Sequence, residues 1–330
     1  MNEGEEIIIQ RPPRIYLDTN HLIYITRVRK GQKLPQGQSE EEYKQLDECI
    51  KSYCGLIFNQ AATLEWVEGK ATEESASEIA AVFDSANLKY LFEADYLIYT
   101  WEVLDLCHRQ NPSIQVPDLP IFQKLSDNIT LCSARGILVN QVPDYLEENE
   151  LEQLEKKAGT PIKVPIASVR QWVEETLKWK YKNPELYKQR ITDFKAQLAY
   201  DIENKNVYFN DHQSYRKDWL KRVLKIERIL KAFNPKIDID SVLDKIDAIK
   251  CPAVRLYWAV REKRMKSGNP PKDNDVDDYM FLPVVPYADV VLTERNLRAF
   301  ILQADNSLKS KVFSNANDAL AALENQKFLY

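Results

Sequence analysis

Glycine is scarce in this sequence, eight among 330 residues, and no G-x-x-x-x-G-K-[ST] run occurs, so a phosphate-cradling P-loop has no support. Histidine is scarcer still. His21, His108 and His212 stand apart, with no H-x-H or H-E-x-x-H pair and no Ser–His–Asp signature, which leaves zinc-peptidase and triad-hydrolase readings without a basis. The five cysteines (Cys49, Cys54, Cys107, Cys132 and Cys251) are scattered, without a C-x-x-C pair. That pattern fits free thiols in a reducing compartment better than a disulfide framework or a zinc site. No stretch approaches the roughly 20 apolar residues of a membrane span. The start, M-N-E-G-E-E, is acidic where an export signal carries positive charge. A soluble, cytoplasmic protein that does not enter membranes is the expectation. The net charge of −5 excludes bulk attraction to nucleic acid, so any such binding needs a local basic surface.

What is present is globular, 44% hydrophobic and 29% charged, in a chain long enough for a sizeable core. Pro12 and Pro13 precede Ile15-Tyr16-Leu17, a short strand-forming run, after which Leu22, Ile23 and Ile25 resume at helical spacing. The alternation then repeats. Glu41–Tyr53 is an amphipathic helix, Leu56–Asn59 a strand, and the segment through Glu65 a helix. Thr72–Ala86 follows as a helix, Leu88–Phe92 as a strand and Tyr96–Arg109 as a helix. Near the other end, Asp277–Pro283 begins a helix and Asp289–Glu294 reads as a buried strand. Asn296–Gln303, Lys311–Ser314 and Ala316–Glu324 follow as helix, strand and helix. Strands alternating with helices predict a parallel sheet between helical layers. From Asp144 to about Lys266 the pattern reads as helical, with segments opening at Pro143, Pro165, Pro184, Asp211, Pro235 and Pro252. The expectation is therefore a discontinuous α/β core, 1–110 plus 271–330, interrupted by an all-helical insertion over 111–270.

Asp18 ends the first predicted strand, at the carboxyl rim where open α/β sheets hold ligands. Taken alone it is equally a helix cap, since Asp, Thr and Asn favour that position. Two other acids occupy comparable places: Glu65, in the helix after the second strand, and Asp278, with Asp275 one turn before it, at the opening of a later helix. The Asp273–Asp278 run also suits a helix start without any metal, and it lacks the Gly and Glu of a calcium loop. Carboxylates crowded on one rim repel unless a cation lies between them, and oxygen-only ligands favour Mg2+ or Mn2+ over zinc.

These residues resemble the PIN-domain (PIN-like) nucleases. The strand ending in Asp18-Thr19-Asn20, the helix N-Q-A-A-T-L-E-W-V-E-G carrying Glu65, and the stretch D-N-D-V-D-D-Y-M-F-L-P-V-V-P-Y-A-D-V-V-L-T-E carry the likeness. The resemblance implies a three-layer α/β/α fold and metal-dependent cleavage of RNA, or in some relatives DNA. It assigns Asp18, Glu65 and Asp278 as the catalytic metal ligands, adds Asp289 and Glu294 as further acids beside Asp275, and leaves Asn20 and Thr293 to order a carboxylate or a bound water. Where many members end the later strand in Thr-x-Asp, this chain has Thr293-Glu294-Arg295. Metal-activated water attacking in line would leave 5′-phosphate and 3′-hydroxyl ends.

The middle of the chain carries a local excess of base. From Arg170 to Lys231 there are 15 Lys and Arg against 9 Asp and Glu, a difference of +6. Lys178, Trp179, Lys180, Lys182, Lys188 and Arg190 interleave charge with aromatics, as single-strand tracks do. The same pattern arises when aromatics are core and lysine stems cover them. Three functions remain to be separated. The first is an endoribonuclease whose helical insertion selects the substrate, so that deleting it alters selectivity more than metal affinity. The second is a degenerate domain that binds nucleic acid or a protein. The third is a toxin or defence nuclease with an antitoxin partner.

Overall fold

A computed structural model of the chain describes residues 11–59, 63, 65–67, 73–92, 95–116, 122–124, 129–132, 137–139, 163–166, 168–222, 224, 226–268, 270, 272 and 275–325. The strands are β1 (Arg14–Leu17), β2 (Gly55–Asn59), β3 (Leu88–Phe92), β4 (Phe122–Lys124), β5 (Ile129–Cys132), β6 (Ile137–Val139), β7 (Lys163–Ile166), β8 (Val290–Leu292) and β9 (Val312–Phe313). Among the helices, α1 spans Thr19–Arg29, α2 Glu40–Ser52, α3 Glu73–Ser85 and α4 Asp95–Gln110. Next come α5 (Val169–Lys182), α6 (Pro184–Glu203), α7 (Lys205–Asn210), α8 (His212–Arg222), α9 (Ile226–Phe233) and α10 (Ile239–Leu243). The last four are α11 (Pro252–Ser267), α12 (Asp275–Phe281), α13 (Arg295–Ala304) and α14 (Ala316–Asn325).

The main sheet runs β4-β3-β2-β1-β8-β9, with β3 through β9 parallel and β4 antiparallel at one edge. Alternation along each central strand sends successive residues to opposite faces. Ile15, Leu17, Leu56, Phe58, Val290 and Leu292 enter one core with α1, α2, α3, α5 and α14. Tyr16, Ile57 and Val291 enter the other, with α4 and residues of α6 through α13. An α/β/α layering follows directly from that period of two. Tyr16 stacks on Phe281 of α12, rings 5.3 Å apart and 1° from parallel.

The all-helical reading of 111–270 is corrected. β5, β6 and β7 form a second, antiparallel sheet in the order β6-β5-β7, and β4 extends the main one. Runs of three or four residues such as I-T-L-C, I-L-V and K-V-P-I are too short to show a period against their helical surroundings. Pro165, read as a helix start, instead pairs with Thr130 in β7, an outer strand where a missing N–H is tolerated. The helices beyond it are no appendage either. α5 packs on α3, and α11 packs on α4 and α13, so this stretch builds parts of both outer layers.

Candidate carboxylate site at the sheet rim

β1 and β8 are neighbours at the centre of the sheet, and each ends in an acid that opens a helix: Asp18 before α1 and Glu294 before α13. Both have the extended backbone of a cap position, yet neither side chain makes the cap bond to its own helix. Capping alone therefore does not account for Asp18, although the Thr19 and Asn20 amides also act on its carboxylate. Its carboxylate crosses to the neighbouring strand, accepting the Thr293 hydroxyl at 3.0 Å and the Glu294 amide at 3.3 Å. Asn20 in turn donates its amide to the Glu294 carboxylate. The structure thus joins Asp18, Asn20, Thr293 and Glu294 in one chain of hydrogen bonds.

Burial holds the Asp18 carboxyl above the ordinary range, working against the bonds from Thr293 and Glu294. Burial also raises Glu294, and the neighbouring Asp18 charge raises it further. Two acids that each resist ionisation beside the other form the electrostatic setting a cation relieves.

Glu65 reaches the same rim by a different route. It accepts a hydrogen bond from Thr19, whose hydroxyl also receives the Trp66 indole N–H at 3.2 Å. Buried Asn59, at the carboxyl end of β2, donates to the Met280 carbonyl at 3.2 Å and ties α12 to this end of the sheet. Thr19 and Asn59 were not singled out from the sequence. Thr19 lies inside the Asp-x-Asn run, and Asn59 is a polar residue closing an apolar strand.

The other expected ligands stand differently. Asp278 faces Arg264, whose guanidinium lies 3.7 Å from its carboxylate. Asp289 sits at the opposite, amino end of β8, bound by the Arg11 guanidinium and by the Arg14 amide at 2.8 Å. It begins a strand that Glu294 follows, so the length of β8 separates it from the rim, which removes it from the ligand set. The side chain of Asp275 lies outside the described residues. Among the described residues, no three His, Cys, Asp or Glu side chains are grouped to hold a metal ion.

Part of the basic segment is engaged in local contacts. Lys178 pairs with Glu175 at 2.7 Å, Lys180 donates to the Val67 carbonyl, and Trp172 is buried with its indole N–H on Thr63 at 2.7 Å. Acids beyond the segment compensate others: Glu262 pairs with Arg216 at 2.7 Å and Asp240 with Lys221 at 2.5 Å. Lys182 and Lys188 face solvent, while the side chains of Trp179 and Arg190 lie outside the described residues. No helix among the described residues is long and apolar enough to cross a membrane.

Comparison with protein-family models, curated proteins and solved structures gave no match.

Proposed function

We propose that this chain is a PIN-like, metal-dependent endonuclease acting on RNA in preference to DNA, centred on Asp18 and Glu294. The observation that carries the reading is the carboxylate pair at the carboxyl rim of β1 and β8, both acids raised, with Asn20 and Thr293 fixing them. The donor set is oxygen only, which fits Mg2+ or Mn2+. Bound there, such an ion supplies an acidified water and positive charge beside a phosphodiester. Asp18 and Glu294 would hold it, while Thr293 fixes the first carboxylate and Asn20 the second. Glu65, bonded to Thr19 one residue past Asp18, adds negative charge near the pair. The amino ends of α1 and α13, which open at the same two residues, favour a negatively charged substrate. Asp278 is set against Arg264, which would moderate its charge.

The second reading, a non-catalytic module that binds nucleic acid or a protein, is favoured by the Asp278–Arg264 pairing and by the lack of a three-acid group among the described residues. One experiment separates the two. Labelled single-stranded RNA and DNA are incubated with the protein, Asp18→Asn and Glu294→Gln, in Mg2+, Mn2+ or EDTA. The nuclease reading expects 5′-phosphate products, none in EDTA, and at least a ~100-fold loss in either variant. Cleavage that persists in EDTA or in Asp18→Asn rejects this site. Intact substrates under every metal, with Mn2+ leaving the melting temperature unmoved, favour the binding module.

A further inference from the structure

A second chemical site lies at the far end of α2, away from the rim. The amides of Tyr53 and Cys54 both bond to the Cys49 carbonyl, at 3.0 and 2.9 Å, so the helix closes in a turn that brings residue 54 back to residue 49. A backbone bond of that length limits the Cα separation to about 6.8 Å, within the range a disulfide spans. The side chains meet as well. The Tyr53 hydroxyl donates to the Cys49 sulfur at 3.1 Å, and the two thiols are hydrogen-bonded to each other. Cys49 is half-buried at the surface, and Cys54 is buried beneath it in the core that contains Leu46, Ile50 and Leu56.

These contacts divide the labour between the two sulfurs. The bond from Cys54, and then that from Tyr53, lowers Cys49 to about 6, against burial and the charges of Glu324 on α14 and Glu48 on α2. Cys54 is pushed up by its bond to Cys49 and by burial, so it stays protonated. Cys107 and Cys251 are buried and raised, the former to about 12, because burial outweighs the Arg109 charge near Cys251. A half-exposed thiolate backed by a buried thiol is the arrangement of an attacking and a resolving cysteine.

We propose that Cys49 and Cys54 are a peroxide-reactive pair that closes reversibly into a disulfide. The Cys49 thiolate attacks one oxygen of a hydroperoxide; the S–O bond forms as O–O breaks, and the leaving oxygen departs as alcohol or water with a solvent proton. Cys49 is now a sulfenic acid. The Cys54 sulfur then attacks the Cys49 sulfur, S–S forms as S–O breaks, and the Cys54 proton leaves with the hydroxyl as water. Two electrons pass from the two thiols to the peroxide, and an added dithiol returns them.

Trypsin cuts after Lys51, between the two cysteines, so the link is read by mass spectrometry as two joined peptides. The intact protein is treated with near-stoichiometric hydrogen peroxide at pH 7, with and without later dithiothreitol. Expected is a Cys49–Cys54 link, lighter by two hydrogens and reversed by the dithiol. Iodoacetamide should alkylate Cys49 first, with a pH midpoint near 6. Cys54→Ala, which removes the contact that lowers Cys49, should form the Cys49 sulfenic acid more slowly and leave it unresolved for dimedone to trap, and Cys49→Ser should abolish the reaction. A midpoint at the ordinary thiol value of about 8.5, or peroxide products spread evenly over the cysteines, overturns the proposal. Both of those readings are made on the wild-type chain, so they stand even if Cys54→Ala fails to fold.

Discussion

His21 lies in the first turn of α1, three residues past Asp18, and shows how the rim is held from behind. It is buried, with Nδ1 2.6 Å from the Tyr43 hydroxyl of α2 and a hydrogen bond to the Thr293 backbone. Burial lowers its pKa to about 4 against an ordinary 6.5. The unfolded chain therefore binds a proton that the native state refuses between those values. Stability from this residue is complete above pH 6.5 and lost as pH falls toward 4, by ~3 kcal/mol at the limit. Urea midpoints at pH 7 and pH 4.5 should differ for the wild type, and the difference should shrink in His21→Gln. Equal differences in both proteins would assign the acid sensitivity elsewhere. At this scale the sequence was informative about type and poor on pairing. Asp18, Asn20, Thr293 and Glu294 were all legible as candidates. That Asp18 bonds across to Thr293, and that Asp289 goes to Arg11, depends on strand neighbours hundreds of residues away.

Among the elements, α11 depends on a residue of α4. The buried Glu102 carboxylate accepts the Ala253 amide at 2.8 Å, the Val254 amide at 3.0 Å and the Tyr287 hydroxyl. The first two are donors of the opening turn of α11, which has no side-chain cap from its own Cys251. Burial raises the Glu102 carboxyl, and Tyr287 and the two amides act against that rise. Glu102→Ala should destabilise the fold by ~2–4 kcal/mol, because two buried amides and a hydroxyl lose their acceptor together. A change below ~1 kcal/mol in urea unfolding would mean that water replaces the carboxylate. Long amphipathic helices such as α2 and α4 were legible because their period accumulates over many residues, and β2 and β3 because each is a short run between two such helices. β5, β6 and β7 were not, since three or four residues carry too little pattern and Pro165 spoke for a different element.

For the whole molecule, the middle of the chain is structural before it is anything else. Leu198, Tyr208, Trp219 and Trp258 belong to the same core as Tyr16, Ile57 and Val291. A chain lacking residues 184–267 would leave that face of the sheet in water, so it should show no cooperative thermal transition. A trimmed protein that melts sharply and still cleaves would restore the reading of this region as a detachable substrate selector. This was not legible beforehand, because hydrophobic spacing shows that a helix has a buried face and not which surface it meets.

The strand order has a consequence in time. β1 takes β2 as one neighbour soon after it is made, but its other neighbour is β8. Asp18 and Thr293, 275 residues apart, can meet only when the second of them has left the ribosome. Until then β1 presents an unpaired edge, and pairings this distant in sequence are slow to form as a class. A nascent or prematurely terminated chain thus carries Asp18 without Glu294, and the acidic rim comes into being only late in translation.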